Sequence, residues 1–169
     1  FVYARGGENY GKGDPNWDLP YVTWSPRLRG TAINIRHFDK WIRKNKIDTL
    51  FFNEQHEVDI VFDIKKRYPN LKVGTYVDYY KENTVKEFYL YDFLICNTKR
   101  HYSVFNKHPQ CYFVPWGTNT DLFKPTNTKN QVLTFFHSAG MSNRKVTTFV
   151  IDAFIKGKLY KESKLIIHI

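Results

Sequence analysis

From residue 47 onward, short apolar runs alternate with segments whose apolar positions recur at helical spacing. The runs Asp48 to Asn53, Leu71 to Val77, Asp92 to Cys96, Cys111 to Val114, Val132 to His137 and Leu165 to Ile169 are rich in β-branched and aromatic residues and predict strands. Ahead of the first, Phe38, Trp41 and Ile42 are spaced i, i+3, i+4; after it, Val58, Val61 and Phe62 repeat that spacing until Pro69-Asn70 stops the helix. Near the end, Val146, Phe149, Val150, Ala153 and Phe154 form a wide apolar stripe before Gly157. Strands alternating with helices imply right-handed βαβ units and a parallel sheet. Because the strand runs are almost continuously apolar, that sheet is expected to be covered on both faces. The fold class predicted is α/β, a Rossmann-like parallel sheet flanked by helices.

Two stretches break the rhythm. Arg5 to Pro26 is rich in Gly and Pro with few periodic apolar positions and predicts a long loop. Pro115 to Asn130 carries Pro115, Gly117, Pro125 and the polar run Thr126-Asn127-Thr128-Lys129-Asn130, and a strand starts afresh at Val132. A boundary near 127 divides the chain into a first domain over 1–126 and the start of a second domain over 127–169. One strand, one helix and a second strand are too little to close a core, so the second domain reads as truncated. Phe1 at the start and no targeting segment behind it make the chain read as an excised or processed fragment.

Composition narrows the classes further. With 42% apolar and 18% aromatic residues over 169 positions, the chain has the material for a substantial core. No apolar run approaches the ~20 residues of a membrane span. Cys96 and Cys111 both lie on predicted strands and read as buried thiols, which favours a reducing, cytoplasmic setting. The six histidines have no ligand spacing with cysteine or acid, so no metal site is expected. A net charge of +10 attracts polyanions: nucleic acid, anionic headgroups or a nucleotide diphosphate. The basic residues are scattered, and runs such as Lys65-Lys66-Arg67 suit helix carboxyl ends. The aromatics are expected to face the core, which disfavours single-stranded nucleic acid.

In open α/β sheets, ligands bind beyond the carboxyl ends of the strands. The loop His137-Ser138-Ala139-Gly140-Met141-Ser142-Asn143-Arg144-Lys145 leads from a strand into a helix. Gly140 lets backbone approach a ligand, the helix start offers N–H donors, and Arg144 with Lys145 suits a diphosphate; an ordinary turn with a solvated basic pair is the alternative. The loop Glu54-Gln55-His56-Glu57 supplies polar groups for a hydroxylated acceptor or a base, although Glu57 also suits a helix start. Asp78, Tyr79 and Tyr80 follow the second strand, where a carboxylate beside tyrosines either binds a sugar or starts a helix.

Pro115-Trp116-Gly117-Thr118-Asn119-Thr120-Asp121-Leu122-Phe123-Lys124-Pro125 resembles the Pro-Asn-Gly-Val-Asp-x-x-x-Phe-x-Pro segment that joins the two domains of group 1 (family 4) glycosyltransferases. Ala139 to Lys145 followed by Phe149-Val150-Ile151-Asp152-Ala153-Phe154 is similar to the start of their donor domain. The resemblance is closest from about Asp92 to Phe154. It departs at Met141, where the family has an arginine, at Val146, where a glycine often follows the lysine, and at Val77-Asp78, where the family has His-Asp. The chain stops before the family's Glu-x7-Glu segment, and the family's opening strand and glycine-rich loop are not matched.

The resemblance implies two Rossmann-like domains of the GT-B type and a transferase that moves sugar from a nucleotide sugar to a glycan or lipid-linked acceptor. It further implies retention of anomeric configuration, with no metal and no cofactor beyond the donor substrate. Gly140, Arg144 and Lys145 would hold the donor diphosphate. Asp78 and His56 would be catalytic, with Glu54 and Tyr79 on the acceptor side. The expected setting is cytoplasmic, with peripheral contact to anionic membrane and no nucleic-acid partner. Two alternatives stand beside it: a basic nucleic-acid-binding module, and a non-catalytic domain that kept the fold.

Overall fold

The structure, a computed structural model, describes residues 1–5, 11–26, 28, 32–53, 57–126, 128–139 and 145–168. The chain forms two compact units, Phe1–Gly117 and Thr118–Ile169. In the first unit, β1 (Val2–Ala4) and β2 (Val22–Trp24) precede α1 (Ile35–Lys44). Then come β3 (Thr49–Asn53), α2 (Val58–Arg67), β4 (Lys72–Val77) and a 3-10 helix (Glu82–Leu90). The unit ends with β5 (Phe93–Cys96), α3 (Lys99–Phe105) and β6 (Cys111–Phe113). Strands β3-β4-β5-β6 make one parallel sheet in chain order, and β1-β2 make a separate parallel pair. This is the α/β architecture of a parallel sheet flanked by helices, consistent with a Rossmann-like fold.

The elements form for local reasons. Asn34 caps α1, its side-chain oxygen accepting the His37 N–H at 3.0 Å, and Arg43 and Lys44 sit where the helix dipole favours cations. Phe38, Trp41 and Ile42 are buried on one stripe, each burial worth about 1.5–3 kcal/mol. The segment Arg5 to Pro26 is not a continuous loop, because Val22-Thr23-Trp24 pairs with Val2–Ala4 as β2. Three residues are too few to show a period, so the strand was hidden in a Gly- and Pro-rich stretch. The turn before it is organised by Asp18, which accepts from the Gly13 N–H at 2.8 Å and from Trp24 Nε1 at 2.6 Å. Gly13 has φ +87°, a conformation that favours glycine.

Four parallel strands in chain order require crossovers that all turn the same way, and right-handedness puts them on one face. The register bears this out. Leu50, Val73, Val77, Leu94 and Cys96 share one face and belong to the single buried cluster with Phe38, Trp41, Val61, Ile64 and Phe105. On the other face, Phe51, Gly74 and Phe93 lie in line, and Tyr76, Ile95 and Tyr112 lie in the next row but one. None of these six belongs to the buried cluster. The expectation of a sheet covered on both faces is therefore corrected: among the described residues, the core occupies one face. The expectation that the aromatics face inward fails with it, since Phe51, Tyr112, Trp116, Phe136 and Phe149 are exposed. On that second face, the rings of Phe51 and Phe93 stack at 6.0 Å across Gly74, where a Cβ would overlap the Phe93 ring. Glycine in mid-strand is what lets the two rings meet.

The two thiols lie on neighbouring strands, with Sγ atoms 3.6 Å apart. Burial pushes the Cys96 thiol up to about 12 and raises that of Cys111, so both stay protonated at neutral pH. In the second unit, β7 (Leu133–Ser138) pairs in parallel with β8 (Ser163–His168), with α4 (Thr147–Lys156) between them in sequence. Phe135 meets Phe154 edge-on at 6.2 Å, yet Phe149 of the expected stripe is 73% exposed. Only Ala139 and Ser163 are buried among this unit's described residues. No helix among the described residues is long and apolar enough to cross a membrane.

Asp92 fastens the start of β5 to its neighbours, accepting from the Val73 N–H at 2.8 Å and from Lys65 Nζ at 2.9 Å. Burial alone would raise its pKa, but these two donors outweigh it and hold the carboxyl below its ordinary value. A depressed carboxyl stabilises the fold above its unfolded pKa of about 3.9, and the contribution is lost as pH falls through the lower folded value. Asp92→Ala is expected to cost about 1–2 kcal/mol at pH 7 by urea denaturation. The gap between variant and wild type should narrow as the pH drops below about 4. A gap that stays constant with pH would contradict this role.

Candidate functional site

The carboxyl ends of β3, β4, β5 and β6 lie along one edge of the sheet, and the loops leaving them carry the candidate groups. After β4, the chain runs through Asp78, Tyr79 and Tyr80 before Lys81 opens the 3-10 helix at Glu82. The Lys81 N–H donates to Thr84 Oγ1 at 2.9 Å, and that hydroxyl donates back to the Lys81 carbonyl at 2.9 Å. The helix start is thus built by Lys81 and Thr84, and the helix-starter alternative for Asp78 falls away. Asp78 is half-buried, and its carboxylate accepts no hydrogen bond among the described residues. Its charge, after burial, raises the pKa of the neighbouring Tyr76 hydroxyl. That hydroxyl is itself buried without a well-formed hydrogen bond, the Asn97 side chain standing only loosely beside it.

Tyr79 and Tyr80, which follow Asp78, line a cavity of about 280 Å³ together with Lys81, Thr84, Glu87 and Tyr91, while Asp78 itself is not in its lining. Burial pushes the Tyr91 hydroxyl up to about 12, so it is a neutral donor at physiological pH. Aromatic faces for sugar C–H groups, together with a carboxylate, an ammonium and hydroxyls for sugar hydroxyls, make this lining suited to a polyhydroxylated ligand.

One group at this edge is legible only in three dimensions. Thr98 caps α3, accepting the His101 N–H at 3.0 Å, and this turns the His101 ring back toward β4. His101 Nδ1 lies 2.9 Å from the Val77 carbonyl and 3.1 Å from Asn97 Oδ1. A carbonyl can only accept, so Nδ1 is the donor in this contact. Tyr80 packs edge-on against the same ring at 5.5 Å. Sequence reasoning passed over His101 because it sits on a helix, with no acidic or cysteine partner at ligand spacing. The one available signal was Thr98 three residues before it, at the start of a helix that the apolar pattern does not mark.

The remaining candidates divide between the units. Glu54 and His56 lie outside the described residues, between β3 and Glu57. Glu57 holds the position before α2 without capping it through its side chain. After β6, Trp116 is 71% exposed and packs its ring against Tyr76 at 4.9 Å. In the second unit, Gly140, Met141 and Arg144 lie outside the described residues, whereas Lys145 is exposed just ahead of α4. The structure therefore brings Asp78 and Tyr79 together in the first unit and places Lys145 in the second.

Comparison of the chain with models of known protein families finds no match, and comparison with curated proteins finds none either.

Val146, which follows Lys145, has φ 51° and ψ 36°, a left-handed conformation that a β-branched residue adopts only under strain. It turns the chain into α4, where His137 Nε2 meets Thr147 Oγ1 at 3.1 Å. Val146→Gly removes a Cβ clash of about 1–2 kcal/mol, partly offset by glycine's greater entropy loss on folding. The variant is expected to gain up to about 1 kcal/mol in urea denaturation. A loss of stability would show that the valine side chain contributes more by packing than its backbone costs.

Proposed function

We propose that this chain belongs to a sugar-nucleotide-dependent glycosyltransferase that moves sugar to a glycan or lipid-linked acceptor. The observation that carries the reading is the half-buried Asp78 carboxylate at the carboxyl end of β4, which accepts no hydrogen bond among the described residues, followed directly by Tyr79, Tyr80 and Lys81, which line a cavity with Glu87. In this reading the cavity receives the acceptor. Asp78 accepts a hydrogen bond from the acceptor hydroxyl, and Tyr79 and Tyr80 offer their rings to its apolar edge. His56 and Glu54 complete the acceptor side.

Transfer breaks the bond between the sugar's anomeric carbon and the diphosphate, so negative charge grows on the departing group. Cations placed where that charge develops lower the barrier, and Lys145 with Arg144 and the backbone at Gly140 take that part. The exposed position of Lys145 ahead of α4 supports this, as does the strained left-handed Val146 at a position where the resembling family often has glycine. The reaction is expected to retain anomeric configuration and to need no metal. The charge of +10 supports peripheral contact with anionic membrane on the cytoplasmic side.

One observation favours a second reading. On the face of the sheet away from the core, Phe51 and Tyr112 are exposed on a strongly basic chain, an arrangement that also suits stacked bases of single-stranded nucleic acid. Salt dependence separates the two: a steep fall in oligonucleotide affinity with rising salt belongs to the nucleic-acid reading.

Turnover should be measured with a panel of UDP-, GDP- and dTDP-sugars. Lys145→Ala is expected to lose about 2–3 kcal/mol of transition-state stabilisation in kcat/KM. Asp78→Asn is expected to lower kcat by roughly 100-fold or more. Unaltered turnover in both variants would remove the assignment.

A further inference from the structure

The cavity of about 280 Å³ walled by the 3-10 helix carries two opposite charges that do not neutralise each other. Glu87 and Lys81 both line it, yet no ion pair joins them, and neither pairs with another side chain among the described residues. Their settings differ: Glu87 is half-buried, whereas Lys81 is exposed. A half-buried carboxylate without a counter-ion carries a desolvation cost that an exposed ammonium largely avoids. The Glu87 charge also reaches inward, since after burial it adds to the rise in the pKa of the Tyr91 hydroxyl. The rings around it are held in place. Tyr80 and Phe88 line the cavity half-buried, and both pack on the buried ring of Phe105, at 5.2 Å and 4.7 Å. Phe88 meets Tyr91 in turn at 6.1 Å.

Aromatic rings around one unpaired carboxylate suit an ammonium group, which is drawn both to the ring faces and to the opposite charge. Lys81 suits a phosphate, which a lysine meets as a point charge. We infer that this cavity takes a zwitterionic sugar, a hexosamine phosphate whose ammonium meets Glu87 and whose phosphate meets Lys81. That the ligand is a sugar rests on the reading of this cavity as the acceptor site; its two charges rest on the cavity alone. A volume of about 280 Å³ limits the occupant to a single ring. The chain's charge of +10 repels a simple amine but attracts a molecule whose phosphate outweighs its ammonium.

The test is isothermal titration calorimetry at about pH 6.5, where the phosphate carries most of its second charge. It compares the 1- and 6-phosphates of glucosamine with their N-acetylated forms, with the glucose phosphates and with glucosamine. At least one glucosamine phosphate is expected to bind, and removal of either charge to weaken it about tenfold or more. Glu87→Gln should erase the preference for amine over N-acetyl while keeping that for phosphate, and Lys81→Met should do the reverse. Both variants are read as ratios between ligands, in protein whose melting temperature is unchanged. In wild type, no binding of either glucosamine phosphate at about 10 mM, or equal binding of the N-acetylated forms, would overturn the inference without recourse to a variant. A preference that survives the substitution meant to erase it would overturn it equally. No donor enters the titration, so failure here leaves Lys145-dependent turnover intact, and absence of turnover leaves the ligand ratios unchanged.

Discussion

Parallel strands laid side by side in chain order have to be joined by crossovers of one hand, and in this chain that constraint organises everything around β3 to β6. It sends α2, the 3-10 helix and α3 to the same face, where Val61, Ile64 and Phe105 close a core over Val73, Leu94 and Cys96. It leaves the opposite face to Phe51, Phe93 and Tyr112, where the missing Cβ of Gly74 makes room for the Phe93 ring. It also gathers the four carboxyl-end loops on one rim, so that Asp78, Asn97 and Trp116, far apart in sequence, share an edge. Core, second face and candidate site are consequences of one strand order.

Much of this was legible in the sequence because burial writes a period. The stripe Phe38, Trp41, Ile42 marks α1, and the runs around Leu50, Val73 and Leu94 mark β3, β4 and β5 close to their observed limits. What escaped was short or locally encoded. Val22–Trp24 is three residues long and gains its strand character from pairing with Val2–Ala4. The 3-10 helix at Glu82 depends on the reciprocal Lys81–Thr84 bonds, which leave no apolar repeat. Coverage of the sheet was misread for a similar reason. Phe51, Phe93 and Ile95 make the strands look apolar on both sides, yet a hydrophobic residue does not announce whether anything packs against it.

The candidate site was legible in part. Strand ends direct attention to Asp78 and Tyr79, and the structure sets Tyr79 in the wall of a tyrosine-lined cavity. His101 was not legible, since its relation to Val77 comes from the return of α3 to the rim rather than from spacing. The Val77 carbonyl meets Nδ1 and Tyr80 packs edge-on against the ring, so the orientation of the imidazole is already set. At the other end of the chain, the left-handed turn at Val146 places backbone strain next to Lys145, the cation on which donor binding is argued.

The cations preceding α4 are proposed to recognise a nucleotide through its diphosphate. Isothermal titration calorimetry of UDP, GDP and dTDP against their monophosphates tests this most directly, in wild type and in Lys145→Ala. The account predicts that at least one diphosphate binds tenfold or more tightly than its monophosphate, and that the substitution abolishes this preference. Equal affinity for mono- and diphosphates, or a preference that survives without Lys145, would contradict it.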